Sequence, residues 1–152
     1  QSSMISRMYY ELIRLLHFAA IFTYAGALVI ENMAIKPQIT GEDARNLAKV
    51  DAVCGISAIF VLLFGLTLWL WVGKPSEFYS SNPLFHAKLG LFTLMVLCAI
   101  APTVFYNKHK KSEEDVIEVP KLLRLLLKFQ LVLLVLTPVL ALLMARGIGI
   151  NS

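Results

Sequence analysis

The chain lacks most of what a soluble enzyme uses. Only 16% of its 152 residues are charged, and three are histidine. No GxGxxG follows a strand, and no polar stretch is long enough to form a soluble domain, so there is no nucleotide or flavin fingerprint. The two cysteines, Cys54 and Cys98, make no CxxC or other metal spacing. Both fall in apolar runs, where small buried packing residues are expected. Basic and aromatic residues are not interleaved outside those runs, which argues against nucleic acid as a partner. Inverted repeats and paired broken helices, which mark carriers, are not evident.

Hydrophobic residues are plentiful, at 58% with a mean hydropathy of +0.72. An average soluble domain is about 45–50% apolar. Four apolar runs, at about 10–30, 52–73, 84–106 and 122–145, each approach the roughly 20 residues that cross a bilayer. Short connections make sequential helices antiparallel neighbours. The expectation is an all-α integral membrane protein, an antiparallel four-helix bundle in one domain over residues 4–152. Gln1, Ser2 and Ser3 ahead of Met4 read as the scar of a cleaved expression tag.

Local signals fill in the spans. Trp69 and Trp71 read as an interfacial pair closing span two. Asn82 and Pro83 read as the N-cap and first residue of span three. Pro102 and Pro138 fall inside spans three and four, each removing a backbone donor. Membrane helices tolerate this where a neighbour satisfies the freed carbonyl. Gly26, Gly55, Gly65 and Gly90 permit close helix approach.

Loop charge orients the chain. The first connection carries Lys36, Arg45 and Lys49; the third carries Lys108, Lys110, Lys111, Lys121 and Arg124. The other side has only Arg7, Lys74 and Arg146, with Arg14 and Lys88 just inside the helices. The expected location is a bacterial inner membrane, with both termini on the periplasmic side. His109 then belongs to a solvated cytoplasmic loop.

The first span is the most polar. His17, Tyr24 and Glu31 are spaced by seven residues, two turns each, and share one helix face, with Arg14 a turn before His17. Ionisable groups within a membrane helix usually face the bundle interior or a water-filled cavity. The topology puts His17 in the same leaflet as His86, in the first turn of span three, with Arg14 and Lys88 nearby. Two imidazoles facing each other suit haem iron, and cations near the interface suit its propionates. There is no second intramembrane pair, so at most one bis-histidine haem fits. The plainer alternatives are a helix–helix hydrogen bond for His17 and an interfacial one for His86. At the inner end, Glu31 is expected either to pair with Lys128 or Arg124, or to act as a proton mouth with Tyr24 as an intermediate stop.

LLHFAAIFTYAGALVIEN, NPLFHAKLGLFTLMVLCAIAPT and LMARGIG resemble an uncharacterised four-span bacterial membrane family, a domain of unknown function. More distantly, His17, His86 and Lys88 are similar in placement to an early histidine and a His-x-Lys in HemJ-type protoporphyrinogen oxidases, and the pattern is similar to CopD-like membrane proteins. That likeness implies haem b and oxidation of a porphyrinogen. Lys49-Val50-Asp51 stands where the HemJ pattern has an arginine, and Glu31 to Lys36 where it has a second histidine.

The leading expectation is therefore an inner-membrane haem b-binding protein in membrane redox chemistry, linked to a quinol or porphyrinogen. His17 and His86 would be the metal ligands, with Arg14 and Lys88 on propionates or an anionic substrate. Tyr24, Glu31 and Lys128 would form a proton route or ion pair. The competing expectations are non-redox binding or transport of a small anion or metal ion, and an assembly subunit of a larger membrane complex. The lipid bilayer is the first partner in each case, and a homodimer is reasonable.

Overall fold

A computed structural model describes residues 2–68 and 83–146. Four long helices carry the chain: α1 (Ser2–Ala34), α2 (Gly41–Thr67), α3 (Pro83–His109) and α4 (Lys121–Ala145). Two short strands, β1 (Gln38–Ile39) and β2 (Ile117–Glu118), lie in the α1–α2 and α3–α4 connections. All four helices are long and apolar enough to cross a membrane. Their outward faces carry exposed residues such as Phe22, Ile56, Leu97 and Val135. An apolar surface of that extent suits hydrocarbon rather than water.

Contacts fix the arrangement. α1 lies along α2 and α3 along α4, while α2 meets α3 and α1 meets α4, closing a bundle. Glu31 meets Asp51 near one end of the α1–α2 pair, and His17 meets Gly65 near the other. Numbers rise on one helix as they fall on the other, so the two are antiparallel.

Helix α2 starts earlier than the hydropathy implies, at Gly41 rather than near residue 52. The cause is a capping box. Thr40 accepts from the Asp43 amide at 3.0 Å, and Asp43 accepts from the Thr40 amide at 3.0 Å. Each bond satisfies a backbone donor at the helix start, so the polar run Gly41–Val50 is helical. Asp51 consequently sits about ten residues inside α2 instead of opening it. Trp69, Trp71 and Asn82 lie outside the described residues, whereas Pro83 is the first residue of α3.

Both internal prolines stand within helices. Pro102 has no N–H to offer the Cys98 carbonyl one turn back. The Gln130 amide of α4 donates to that carbonyl at 3.4 Å, from a side chain almost wholly buried. A polar residue in the bundle thus repairs the helix beside it.

The loop end is closed by an antiparallel ladder that pairs Gln38 with Glu118 and Ile39 with Ile117. Ile39 and Ile117 turn inward and Gln38 and Glu118 outward, the period-two alternation of a strand. The Gly41 amide donates to the Glu114 carbonyl at 2.9 Å, and the Val119 amide to the Pro37 carbonyl at 2.9 Å. Beneath the ladder, Ala44, Leu47, Tyr106, Val119 and Leu123 form a small apolar core. This core separates the interior of the bundle from the loop surface.

Candidate functional site

Just below that core lies a pair of buried carboxyls. The inner face of α1 carries Tyr24, Leu28 and Glu31, all buried. On α2, the residues Ala44, Leu47, Asp51 and Cys54 recur every three or four positions and are buried too. Where these faces meet, the Glu31 carboxyl is in hydrogen-bonding contact with the Asp51 carboxyl. Glu31 is 1% exposed and Asp51 8%. From α3, the Thr103 hydroxyl donates to Asp51 Oδ2 at 2.6 Å.

Among the described residues, neither carboxyl is paired with a lysine or arginine. Lys128 is exposed on α4, and the Arg124 Nε is buried with no partner of its own. Glu31 therefore meets another acid rather than the basic stripe of α4. A hydrogen bond between two carboxyls requires a proton on one of them. The two carboxyls therefore share at least one proton. The Thr103 hydroxyl takes Asp51 Oδ2 as its acceptor.

The pair is also under-coordinated. Glu31 Oε1 has no hydrogen-bond partner, and neither does the hydroxyl of Tyr106, a residue 1% exposed. Tyr106 lies within the electrostatic reach of both carboxyls, as does Tyr24 farther along α1. Around them, Asn32 Nδ2 donates to the Leu28 and Leu127 carbonyls at 2.9 and 3.2 Å. The Cys54 thiol points to the Tyr24 carbonyl at 3.9 Å. Unmet polar atoms in a dry interior are costly. Their clustering on one carboxyl pair marks this as a site rather than a packing seam.

The other end of the ladder is different. The half-buried His17 ring rests against α2 at Gly65, where an added Cβ would stand 3.2 Å from its Cε1. Nδ1 is buried without a partner. The half-buried Lys88 exerts its charge on this ring, so α3 contributes to the same region. Arg14 is exposed, its guanidinium 5.6 Å from the Phe18 ring centroid, a cation–π distance. His86 occupies the first turn of α3 with an exposed side chain. Among the described residues, no three or more His, Cys, Asp or Glu groups are placed to hold a metal ion.

The structure thus aligns His17, Tyr24 and Glu31 on the inner side of α1 and brings Lys88 to His17. It leaves Arg14, His86 and Lys128 on exposed surface. Asp51, Thr103 and Tyr106 complete the inner site, and the sequence reading gave none of them a functional role. Asp51 falls on the three-to-four spacing of the buried face of α2. Tyr106 falls on the corresponding buried face of α3 with Met95, Cys98 and Pro102. Those spacings were the available signal.

The fold and the apolar belt define a multi-pass helical membrane protein with an acidic pair in its interior. The chain belongs to the family described as predicted membrane protein (DUF2214), whose profile matches residues 10–149. No match was found among curated proteins or among solved structures.

Proposed function

We propose that the protein binds and exchanges a proton inside the membrane, at Glu31 and Asp51, as part of a proton-coupled membrane process. The carrying observation is a buried Glu31 whose one side-chain hydrogen-bond partner among the described residues is another carboxyl and whose Oε1 has no partner. A structural carboxylate of that burial ordinarily has a cation or a full set of donors. One with neither is suited to take up a proton and release it. Asp51, held by Thr103, is the partner with which Glu31 shares the proton, and Tyr106, within electrostatic reach of both carboxyls, is the hydroxyl through which the pair can reach the loop end. Water bridging is required toward Tyr24 and His17, because two helical turns span about 10 Å.

The orientation favoured by loop charge puts the acidic pair near the cytoplasmic face of a bacterial inner membrane, with both termini on the periplasmic side. Reconstitution in vesicles holding a trapped pH-sensitive dye tests the reading. Under an imposed gradient, wild-type vesicles should acidify faster than empty ones, and Glu31→Gln should return the rate to the empty level. Equal rates for wild-type and empty vesicles would overturn it, as would a Glu31→Gln variant that matches wild type.

A second reading is favoured by one observation, the buried and unpartnered Nδ1 of His17. A neutral imidazole of that kind fits an axial ligand of haem b, with Lys88 near enough to serve a propionate. Haem there would supply one-electron exchange, with a quinol or porphyrinogen as the redox partner. His86 is a weaker fit, because its side chain is exposed. A visible spectrum of protein expressed with ample haem decides: a Soret band lost in His17→Ala supports the reading, and no band sinks it.

A further inference from the structure

At the loop end, outside the acidic pair and its cap, a cleft of about 450 Å³ opens between α2 and α3. Its rim holds four cationic side chains, Arg45 and Lys49 from α2 and Lys110 and Lys111 from the turn that follows α3. Among the described residues, no acidic side chain lines it. Its floor is small and apolar, formed by Ala48 and Ala52. Arg45 is fixed there, its Nη1 donating to the Lys110 and Ser112 carbonyls at 3.4 and 3.3 Å.

The surface below the cleft is apolar and faces outward. On α2, Ile56 continues the face of Lys49 and Ala52 one turn on, and is exposed. On α3, Ile100 and Val104 continue the face of Asn107 in the same direction, and both are exposed. Four cations above two apolar tracks match one chemistry: a phosphate anion carrying hydrocarbon chains. A free anion uses the rim and leaves the tracks idle, whereas an uncharged lipid does the reverse.

We propose that the α2–α3 cleft is a binding site for an anionic phospholipid, its phosphate among Arg45, Lys49, Lys110 and Lys111. The acyl chains run along Ile56, Ile100 and Val104. The site depends on the chain spanning a membrane and is independent of proton exchange at Glu31.

The test is lipid retention by the full chain in neutral detergent, read by native mass spectrometry and by melting temperature. Phosphatidylglycerol, phosphatidylcholine and inorganic phosphate are supplied in separate arms. Phosphatidylglycerol should be retained and should raise the melting temperature, less so at high salt, while the other two do neither. Lys49→Gln combined with Lys110→Gln and Lys111→Gln should weaken phosphatidylglycerol about 100-fold, about fivefold per lysine. Lys108→Gln with Lys121→Gln, which removes exposed charge outside the cleft, should leave binding unchanged. If the triple variant does not fold, Lys49→Gln alone should still weaken binding about fivefold. Equal retention of phosphatidylcholine, protection by inorganic phosphate alone, or an equal loss in the Lys108 and Lys121 control would each overturn the proposal.

Discussion

Thr103 gives the sharpest test of how the acidic pair is held. Most threonines in the spans spend their hydroxyls on their own helix: Thr23 on Ala19, Thr67 on Leu63, Thr93 on Leu89 and Thr137 on Leu133, at 2.8 to 3.0 Å. Thr103 instead crosses from α3 to Asp51 on α2, at 2.6 Å. Valine keeps its shape and nearly its helix propensity while deleting the donor. A hydrogen bond to a charged group contributes about 1.5–3 kcal/mol in soluble proteins. Interhelical bonds in membranes average about 0.6 kcal/mol, with a maximum near 1.7, because the reference state also finds partners. The short distance and the 8% exposure of Asp51 place this bond near the upper membrane value. Thr103→Val should therefore cost about 1.5 kcal/mol in reversible unfolding by dodecyl sulfate, followed by circular dichroism. Thr93→Val, which loses only a bond within its own helix, should stay within about 0.5 kcal/mol of wild type. In an Asp51→Asn background, the cost of Thr103→Val should fall by about 1 kcal/mol, as expected for groups in direct contact. Equal costs for the two threonine variants, or strict additivity with Asp51→Asn, would refute the reasoning.

Three further outcomes follow from the same contacts. Gly65→Val should push the His17 ring aside and cost about 1–3 kcal/mol, whereas Gly55→Ala, whose added Cβ meets nothing within 4 Å, should be neutral or stabilising in the same unfolding assay. Gln130→Leu should cost about 1–2 kcal/mol by leaving the Cys98 carbonyl beside Pro102 unsatisfied, and replacing Pro102 with alanine in the same chain should recover most of that loss. Lys128→Gln should change stability by less than about 0.5 kcal/mol, because its charge is exposed and meets no carboxylate; a larger loss would restore the ion pair with Glu31.

The helices and the site were legible in the sequence to different degrees. Four spans follow from hydropathy alone, because a bilayer demands length and apolarity of each helix separately. The shared face of His17, Tyr24 and Glu31 follows from the helical period. The start of α2 was misplaced by eleven residues, 52 against 41, since hydropathy sees the polar run from Gly41 as loop. Thr40 and Asp43 carried the capping signal that corrects it. The β1–β2 ladder has two residues per strand, too short for any alternation to register. The partner of Glu31 depends on how α1 and α2 are rotated about their axes. Charge complementarity favoured Lys128 or Arg124. Packing instead turns Lys128 outward and Asp51 inward, so burial decided the partner where charge did not.

Carbodiimide labelling tests the central claim most directly. Dicyclohexylcarbodiimide is apolar, and the O–H of a protonated carboxylic acid adds across one of its C=N bonds to give an O-acylisourea, so it selects neutral acids within the membrane. Treated in native membranes and mapped by peptide mass spectrometry, Glu31 should be the principal labelled residue. Labelling should be lost in Glu31→Gln and retained in a Lys128→Gln control. An unlabelled Glu31, while the exposed Glu11 and Glu42 react, would contradict a proton-bearing carboxyl at the heart of the bundle.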